Sequence, residues 1–360
     1  MEPNVERLST AIDAFPAAFK GNQLNLLFLD DAYPIINSKA FLCKLDSLML
    51  QDERREYLLG EKEGWPFPTI GIEGRPDPWK VTDALFENFE IAGNLLPTQR
   101  DTWKILADHV LRNDSDIVIL NIVDGLSYYD LPEDTGAIPS LVRGVTTTTH
   151  GFLDVVGKPA ISQRLFNEGY KNQLAFTFFD KDSRPLSAEL HSTFGNSQLN
   201  RINSIEDGID IIKKNPFWRG FIQIVAPGLD KLAHYHADRP LVKETLDRIF
   251  ERLDKVIDCV SSKGRKVTAC LTSDHGILWR DDAKEKTEVV SDLFSEDKYH
   301  PRYVKGSLTR SYSKTVKYES QSFTLLKAPY MIRDWKHSEW GVHGGLSAWE
   351  SIVPIIIKEN

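Results

Sequence analysis

With 360 residues, the chain is long enough to bury a large core, either as one α/β domain or as two smaller domains. Its formal net charge of −8 at pH 7 argues against a protein that coats nucleic acid, because such proteins usually carry a basic balance. Its three cysteines, Cys43, Cys259 and Cys270, form no CxxC pair, which argues against a disulfide framework and a thiolate zinc site.

The start of the chain shows no secretory signal, and no apolar run approaches the ~20 residues that a membrane-spanning helix needs. Cysteines that form no disulfide framework fit a reducing compartment. We therefore expect a soluble, cytoplasmic protein.

The first hundred residues give the least regular pattern. Apolar spacing predicts helices over Val5–Phe19 and Lys39–Leu59, with a short strand at Leu24–Leu29 between them. The stretch Gly60–Pro78 is rich in glycine and proline and is typical of a loop. We assign residues 1–112 to an N-terminal accessory region without a family of its own.

From residue 113 onward, strands and helices alternate, which predicts an α/β fold with a mostly parallel central sheet and helices on both faces. Tyr303–Leu326 alternates with Lys and Ser outward, which predicts a small antiparallel β excursion. Apolar runs predict strands at Ile117–Val123, Leu174–Phe179, Phe221–Val225, Val267–Leu271 and Ile352–Ile357. Helical spacing marks Asp101–Arg112, Phe152–Val156, Ile161–Glu168, Ser204–Ile212 and Leu241–Val260.

Acids and histidines follow several of these apolar runs. A lone acid after a strand is usually a cap or turn residue, and an Asp and His four residues apart are often a solvated pair. The joint pattern is harder to explain that way, because open α/β sheets place ligands at the carboxyl ends of their strands. Three acids and three histidines there predict two adjacent divalent metal sites: Asp124, Asp230, His234, Asp274, His275 and His343.

A threonine-rich stretch, Pro139–His150, precedes a helical segment. Hydroxyl groups before a helix are ordinary N-caps. Beside metal ions, a hydroxyl at a helix N-terminus is also a candidate nucleophile, because both surroundings stabilise its anion. Two metals ~4 Å apart form a clamp for in-line displacement at phosphorus.

The order of these motifs resembles that of the alkaline phosphatase superfamily, with an early strand-end Asp, a Thr, Asp-x-x-x-His, Asp-His-Gly and a late His. The ending resembles PglZ domains: His343-Gly-Gly-Leu-Ser347, then Glu350, then Ile352-Val-Pro-Ile355. The segment His300-Pro-Arg-Tyr303, followed by Gly306, is similar to a segment upstream of that signature. The resemblance covers roughly Asp116 to the C-terminus and implies an alkaline-phosphatase-like catalytic domain over residues 113–360.

The resemblance also implies roles for the candidate residues. One metal would be held by Asp230, His234 and His343, and the other by Asp124, Asp274 and His275. The histidines favour zinc, and manganese is plausible given the acids. His236 is an alternative or helper to His234, although a position behind the ligands or at the surface is the favoured interpretation. The nucleophile would be Thr146, which stands four residues before His150, while Thr147 and Thr148 stay open because the four threonines are consecutive.

The resemblance implies a metal-dependent phosphodiesterase, for example a nuclease or a hydrolase of cyclic nucleotides or oligonucleotides. The Cys/Ser-x-Pro-x-Arg motif of sulfatases is absent from the sequence, which leaves phosphorus chemistry. PglZ domains occur in bacterial anti-phage defence systems such as BREX, so defence-system proteins are the expected partners. The alternatives are a phosphomonoesterase or phosphomutase of the same fold, and a non-catalytic PglZ scaffold in a defence complex.

Overall fold

The structure, a computed structural model, describes residues 77–87, 89, 92, 97–132, 135–177, 200–201, 210–211, 214, 219–226, 228–234, 241–261, 264–290, 293, 300–318 and 320–360. The elements predicted over Val5–Phe19, Leu24–Leu29 and Lys39–Leu59 lie outside the described residues. So do His236 and most of the helix predicted over Ser204–Ile212.

A seven-stranded sheet forms the centre of the described chain, in the order β2-β14-β6-β1-β5-β3-β4. Its strands are β1 Ile117–Val123, β2 Ile138–Leu141, β3 Asn172–Thr177, β4 Asn200–Arg201, β5 Gly220–Ala226, β6 Val267–Ser273 and β14 Ile352–Glu359. Neighbouring strands from β6 to β4 pair in parallel, whereas β14 runs antiparallel to both β2 and β6. The predicted α/β fold with a mostly parallel sheet is confirmed.

Helices cover both faces of this sheet because its strands are apolar on both sides. On β1, Ile117 and Ile119 face the core that includes the long helix Val242–Ser261, while Val118 and Leu120 face the helices Thr102–Asn113, Thr148–Val156 and Ile161–Asn167. The helices are α1 Pro78–Glu87, α2 Thr102–Asn113, α3 Thr148–Val156, α4 Ile161–Asn167, α5 Leu229–His234, α6 Val242–Ser261, α7 Arg280–Ala283 and α8 Ala348–Ser351.

The predicted β excursion is also present, as an antiparallel sheet in the order β10-β11-β9. The strands outside the central sheet are β7 Leu278–Trp279, β8 Glu288–Val289, β9 Tyr303–Lys305, β10 Ser313–Tyr318, β11 Gln321–Leu326, β12 Tyr330–Met331 and β13 Gly341–Val342. Among the described residues, no helix has both the length and the apolar character required to cross a membrane.

The described part of the predicted accessory region packs against the same sheet. Val81 and Leu85 of α1 are buried with Leu141 of β2, and Leu106 of α2 is buried against the opposite core. The division at residue 112 stays a prediction for the residues before 77. The described residues of the two predicted segments share their cores.

Candidate metal centre

The strand register brings the predicted acids to one edge of the sheet. Val123, the last residue of β1, pairs with Ala226 of β5 on one side and with Ser273 of β6 on the other. The chain leaves all three strands at the same level, so Asp124 and Asp274 follow directly, and Asp230 lies in the first turn of α5. Three carboxylates therefore converge at the carboxyl ends of adjacent parallel strands, where such sheets place their ligands.

Hydrogen bonds hold the buried Asp274–His275 turn in one conformation. Asp274 Oδ1 accepts from the main-chain N–H of Gly125 at 3.1 Å and of His275 at 2.9 Å. The Gln99 amide donates to the carbonyl oxygens of Ser273 at 2.8 Å and Asp274 at 2.5 Å. Sequence reasoning missed Gln99, because a glutamine 175 positions before its partner carries no local pattern that announces this contact.

Two buried histidines point their Nε2 atoms at carboxylates. His275 Nδ1 lies 3.0 Å from the carbonyl oxygen of Gly276, and His343 Nδ1 lies 2.8 Å from that of Thr146. A carbonyl oxygen only accepts, so each Nδ1 carries a proton, and in the neutral form of each ring Nε2 presents a lone pair. His343 Nε2 faces Asp230 Oδ1 at 3.1 Å, and His275 Nε2 faces Asp124 Oδ1 at 3.5 Å.

When the rings are neutral, lone pairs opposed in this way require a positive charge between them, supplied by a proton or by a metal ion. Asp230 Oδ1 is a buried atom without a well-formed hydrogen bond, although His234 Nε2 lies 3.2 Å away and His343 Nε2 lies 3.1 Å away. Nitrogen and oxygen ligands at about 2.1 Å from a tetrahedral zinc ion are about 3.4 Å apart, which is close to these separations. The residues therefore fit a divalent metal, and their oxygen and imidazole donors suit zinc or manganese.

The ligand atoms form two compact groups, in each of which they lie within 4.8 Å of one another. One group is Asp124, Asp274 and His275, the same three residues that the sequence analysis assigned to one metal. The other is Asp230, His275 and His343, so His275 belongs to both groups. The sequence motifs predict His234 in that set. His234 contacts Asp230 and packs its ring 5.2 Å from that of His343, at the border of the second group.

Burial and neighbouring charges shift the pKa values of Asp274 and His275. Burial raises the pKa of Asp274 to about 8, and the neighbouring Asp124 adds to that rise against the opposing pull of His275. Burial lowers the pKa of His275, but the surrounding carboxylates, Asp274 first, outweigh it and raise the pKa to about 10. Without a metal, a proton therefore supplies the positive charge that this carboxylate cluster requires.

Asp230 and His343 of the second group are in the protonation states that bind a metal. Burial raises the pKa of Asp230, but its contacts with His234 and His343 outweigh burial and hold that pKa well below 3.8. Burial, followed by the positive charge of His275, lowers the pKa of His343 from 6.5. An ionised carboxylate and a neutral imidazole are the forms that bind a metal.

The metal-free protein is expected to lose stability as the pH rises from about 4 to about 10, between the lowest unfolded and the highest folded pKa of the two groups. The folded chain raises the pKa of Asp274 from 3.8 and that of His275 from 6.5, so it holds more protons than the unfolded chain across this window. Their contribution to stability is complete below the unfolded values and is lost as the pH passes the folded values. Thermal melts of chelator-treated protein check this, and a His275→Gln variant should flatten the slope. A Tm that stays constant or rises would contradict it.

The first three threonines of the run, Thr146 to Thr148, have different surroundings. Thr146 is fully buried, and its hydroxyl donates to the Gly345 carbonyl at 3.0 Å and accepts from the Gly344 N–H at 2.8 Å. Thr147 is the N-cap of α3, and its hydroxyl lies 2.7 Å from His150 Nδ1.

Thr148, the first residue of α3, is the threonine that contacts the candidate metal ligands. Its Oγ1 lies 3.4 Å from Asp124 Oδ1 and 3.2 Å from His275 Nε2. The predicted nucleophile, Thr146, instead has its hydroxyl hydrogen-bonded to Gly344 and Gly345, in the turn after His343. Thr148 was one of the alternatives left open by the sequence.

Gly151 lets α3 approach the metal centre. A Cβ atom at this position would lie 1.7 Å from the carbonyl oxygen of Asp274, so both colliding groups are main chain. Gly151→Ala is expected to destabilise the protein by more than the ~1–3 kcal/mol of ordinary overpacking, although alanine favours helix.

Gly144→Ala is the matched control, because its Cβ would meet only the Tyr318 ring at 3.9 Å. Urea unfolding of both variants measures the difference. Equal stabilities would show that α3 is not packed against Asp274 in this way.

A cleft of about 480 Å³ opens over this centre. The cleft is lined by Thr148, Asp230 and His343, and also by His300 and Lys336. The ring of His300 lies 4.8 Å from that of His343. The sequence analysis noted His300 only as part of a motif, and Lys336 has no sequence signal that distinguishes it from other surface lysines.

No protein-family model and no curated protein sequence matches the chain. Among solved structures, it is similar to murine ectonucleotide pyrophosphatase/phosphodiesterase 5, with 14% identity and a TM-score of 0.41 over 66% of this chain and 87% of the other. It is also similar to phosphonoacetate hydrolase from Sinorhizobium meliloti 1021 in complex with phosphonoacetate (12% identity, TM-score 0.39, covering 68% and 90%). A third similar structure is the C-terminal periplasmic domain of EptC from Escherichia coli in complex with zinc, with 10% identity and a TM-score of 0.29 over 60% of this chain and 73% of the other. At these TM-scores the similarity supports no inference about chemistry. Inferences about chemistry rest on the residues of this chain.

Proposed function

We propose that this protein is a metal-dependent phosphodiesterase that uses Thr148 as its nucleophile. The observation that carries the proposal is the position of the Thr148 hydroxyl, 3.4 Å from Asp124 Oδ1 and 3.2 Å from His275 Nε2. It thus touches one ligand of the first group and the histidine shared by both. The hydroxyl also lies at the N-terminus of a nine-residue helix, where the helix dipole favours an anion.

Asp124, Asp274 and His275 would hold one divalent metal, zinc or manganese. Asp230 and His343 would hold the other, with His275 or His234 completing the set. When bound, such a pair polarises the nucleophile, stabilises the leaving oxygen and neutralises charge on the phosphoryl group.

The chemistry of the chain itself is a double displacement. Thr148 Oγ attacks the phosphorus, the bond to the leaving oxygen breaks, and the departing alcohol takes up the proton that the hydroxyl loses. Water then attacks phosphorylated Thr148, which releases a phosphomonoester and restores the hydroxyl. Asp274 and His275 stay fixed throughout, because Gln99 and the Gly125 N–H hold their turn.

Charge favours a diester as the substrate. The three carboxylates of the centre together with two divalent cations leave one net positive charge, which matches the single negative charge of a phosphodiester. The open cleft has room for a nucleotide-sized group on the leaving or retained side. We therefore favour a nucleotide or oligonucleotide diester, which includes nucleic acid ends and cyclic dinucleotides.

The finer assignment, a PglZ-type enzyme of bacterial anti-phage defence such as BREX, is part of the proposal and is supported by sequence motifs. These are the run from His343 to Ser347 followed by Glu350, and the run from His300 to Tyr303. The partners would be other proteins of such a defence system.

A substrate panel tests the proposed activity. With added zinc or manganese, the protein is expected to hydrolyse bis(4-nitrophenyl) phosphate, and a chelator should abolish turnover. The panel compares this diester with 4-nitrophenyl phosphate, a cyclic dinucleotide and single-stranded DNA. Faster turnover of the monoester would favour a phosphatase of the same fold. Metal binding without turnover of any ester would favour the scaffold alternative.

A further inference from the structure

A fully buried ion pair lies behind the turn that carries His343. Arg302 Nη2 donates to Glu350 Oε2 at 2.8 Å and Arg302 Nε donates to Oε1 at 3.2 Å, with both side chains 0% exposed. The remaining guanidinium nitrogen donates to the carbonyl oxygens of Lys327 and Tyr330. Two buried charges are tolerated only when their hydrogen-bonding groups are matched, and this pair meets that condition.

Glu350 links the two turns that carry metal ligands. Its Oε1 accepts from the Gly345 N–H at 2.9 Å, and its Oε2 accepts from the Ser347 hydroxyl at 2.6 Å. Its main-chain oxygen accepts from the Gly276 N–H at 3.0 Å, directly after Asp274 and His275. One residue thereby sets the spacing between the two turns.

The orientation of His343 depends on the turn that Glu350 holds. The Thr146 hydroxyl binds Gly344 N–H and Gly345 C=O, while the Thr146 carbonyl receives the Nδ1 proton of His343. Gly344 has φ +108°, a left-handed conformation that favours glycine. Movement of Gly345 away from Glu350 would therefore turn the His343 ring away from Asp230.

We propose that Arg302 and Glu350 are a positioning pair that fixes the His343 ring for metal binding. The metal part of this inference rests on the proposed function. A hydrophobic pair of similar volume would often give equal stability, so folding alone does not require these charges. Groups that orient a ligating histidine typically change metal affinity by about 10- to 100-fold when replaced.

The test is a zinc titration of the full chain by calorimetry, with the double variant Arg302→Met/Glu350→Leu. We expect the affinity of one zinc to fall by about 10- to 100-fold while the other is unchanged. The control is Leu253→Ala, a fully buried truncation on α6, which should lower Tm but retain both zinc affinities. If the double variant fails to fold, Arg302→Lys replaces it, because this change keeps the buried charges paired and removes the two-atom contact that fixes the Glu350 carboxylate.

A second readout needs no metal. Nitrogen-15 NMR of the imidazoles in chelator-treated protein should show one His343 tautomer, protonated at Nδ1, in the wild type and a mixture in the variants. Wild-type zinc affinities and an unchanged tautomer in the variants would overturn the inference. A wild type that binds no zinc would instead refute the proposed function, and the tautomer comparison would still decide the role of the pair.

Discussion

Replacing Thr148 by alanine is expected to lower kcat for a phosphodiester by at least about a thousandfold, as removal of a covalent nucleophile does in other hydrolases. Its hydroxyl is the threonine oxygen that lies against both Asp124 and His275. The same variant should bind metal as the wild type does, because Thr148 is outside both ligand groups. Steady-state kinetics and metal analysis on one preparation check both parts.

Two further variants separate Thr148 from its neighbours. Thr148→Ser keeps a hydroxyl at the site and should retain measurable turnover. Thr146→Val removes a buried hydroxyl with two hydrogen bonds, so it should lower stability by about 1–3 kcal/mol while Thr148 remains in place. Loss of turnover on Thr146→Val at saturating metal, with activity preserved in Thr148→Ala, would return the nucleophile to Thr146.

Replacing His275 by alanine is expected to weaken both metals, because His275 is the one residue common to the two described ligand groups. Replacing groups that only orient a ligand already costs about 10- to 100-fold in affinity, so loss of the ligand should cost at least about 100-fold at each site. Turnover at a fixed metal concentration should fall by at least about a thousandfold. Calorimetric titration with zinc measures the two affinities separately.

Asp124→Asn is the comparison variant for His275→Ala. Asp124 belongs to one ligand group, so this change should weaken one zinc and leave the other near its wild-type affinity. If His275→Ala also weakened a single zinc, His275 would serve one metal, and His234 would complete the other set as the sequence analysis first assigned.

The sequence predicted the positions of the acids well because their context is local. Asp124 and Asp274 each follow an unbroken apolar run, and such runs become buried parallel strands whose ends align. Alignment of those ends is a general property of parallel sheets. The carboxylate edge of the centre therefore followed from chain order alone.

Which threonine is the proposed nucleophile depends on the residue at which α3 begins, and apolar spacing does not show that residue. Four threonines in a row offer the same side chain at each position, and the start of α3 at Thr148 decides which hydroxyl faces the carboxylates. The sequence analysis began the helix at Phe152, four residues later. Thr147 is the N-cap of α3, and the Thr146 hydroxyl donates to Gly345 in the turn after His343. Neighbouring residues of identical chemistry therefore have different roles.

Two features of the sheet were also invisible in the sequence. The strand β2 was not predicted, because Pro139 and Ser140 are poor strand formers, yet β2 lies at the sheet edge, where proline is tolerated. The antiparallel direction of β14 could not be inferred, since a buried apolar run has the same composition in either direction.

Sharing of His275 between two groups likewise depends on packing between distant segments.

The stereochemical course at phosphorus tests the central claim most directly. Hydrolysis of a nucleoside phosphorothioate diester of one configuration, in oxygen-18 water, yields a chiral thiophosphate product. Attack by Thr148 followed by attack of water inverts the phosphorus twice, so we predict net retention. Net inversion would show direct attack by water and would contradict a threonine nucleophile at this metal centre.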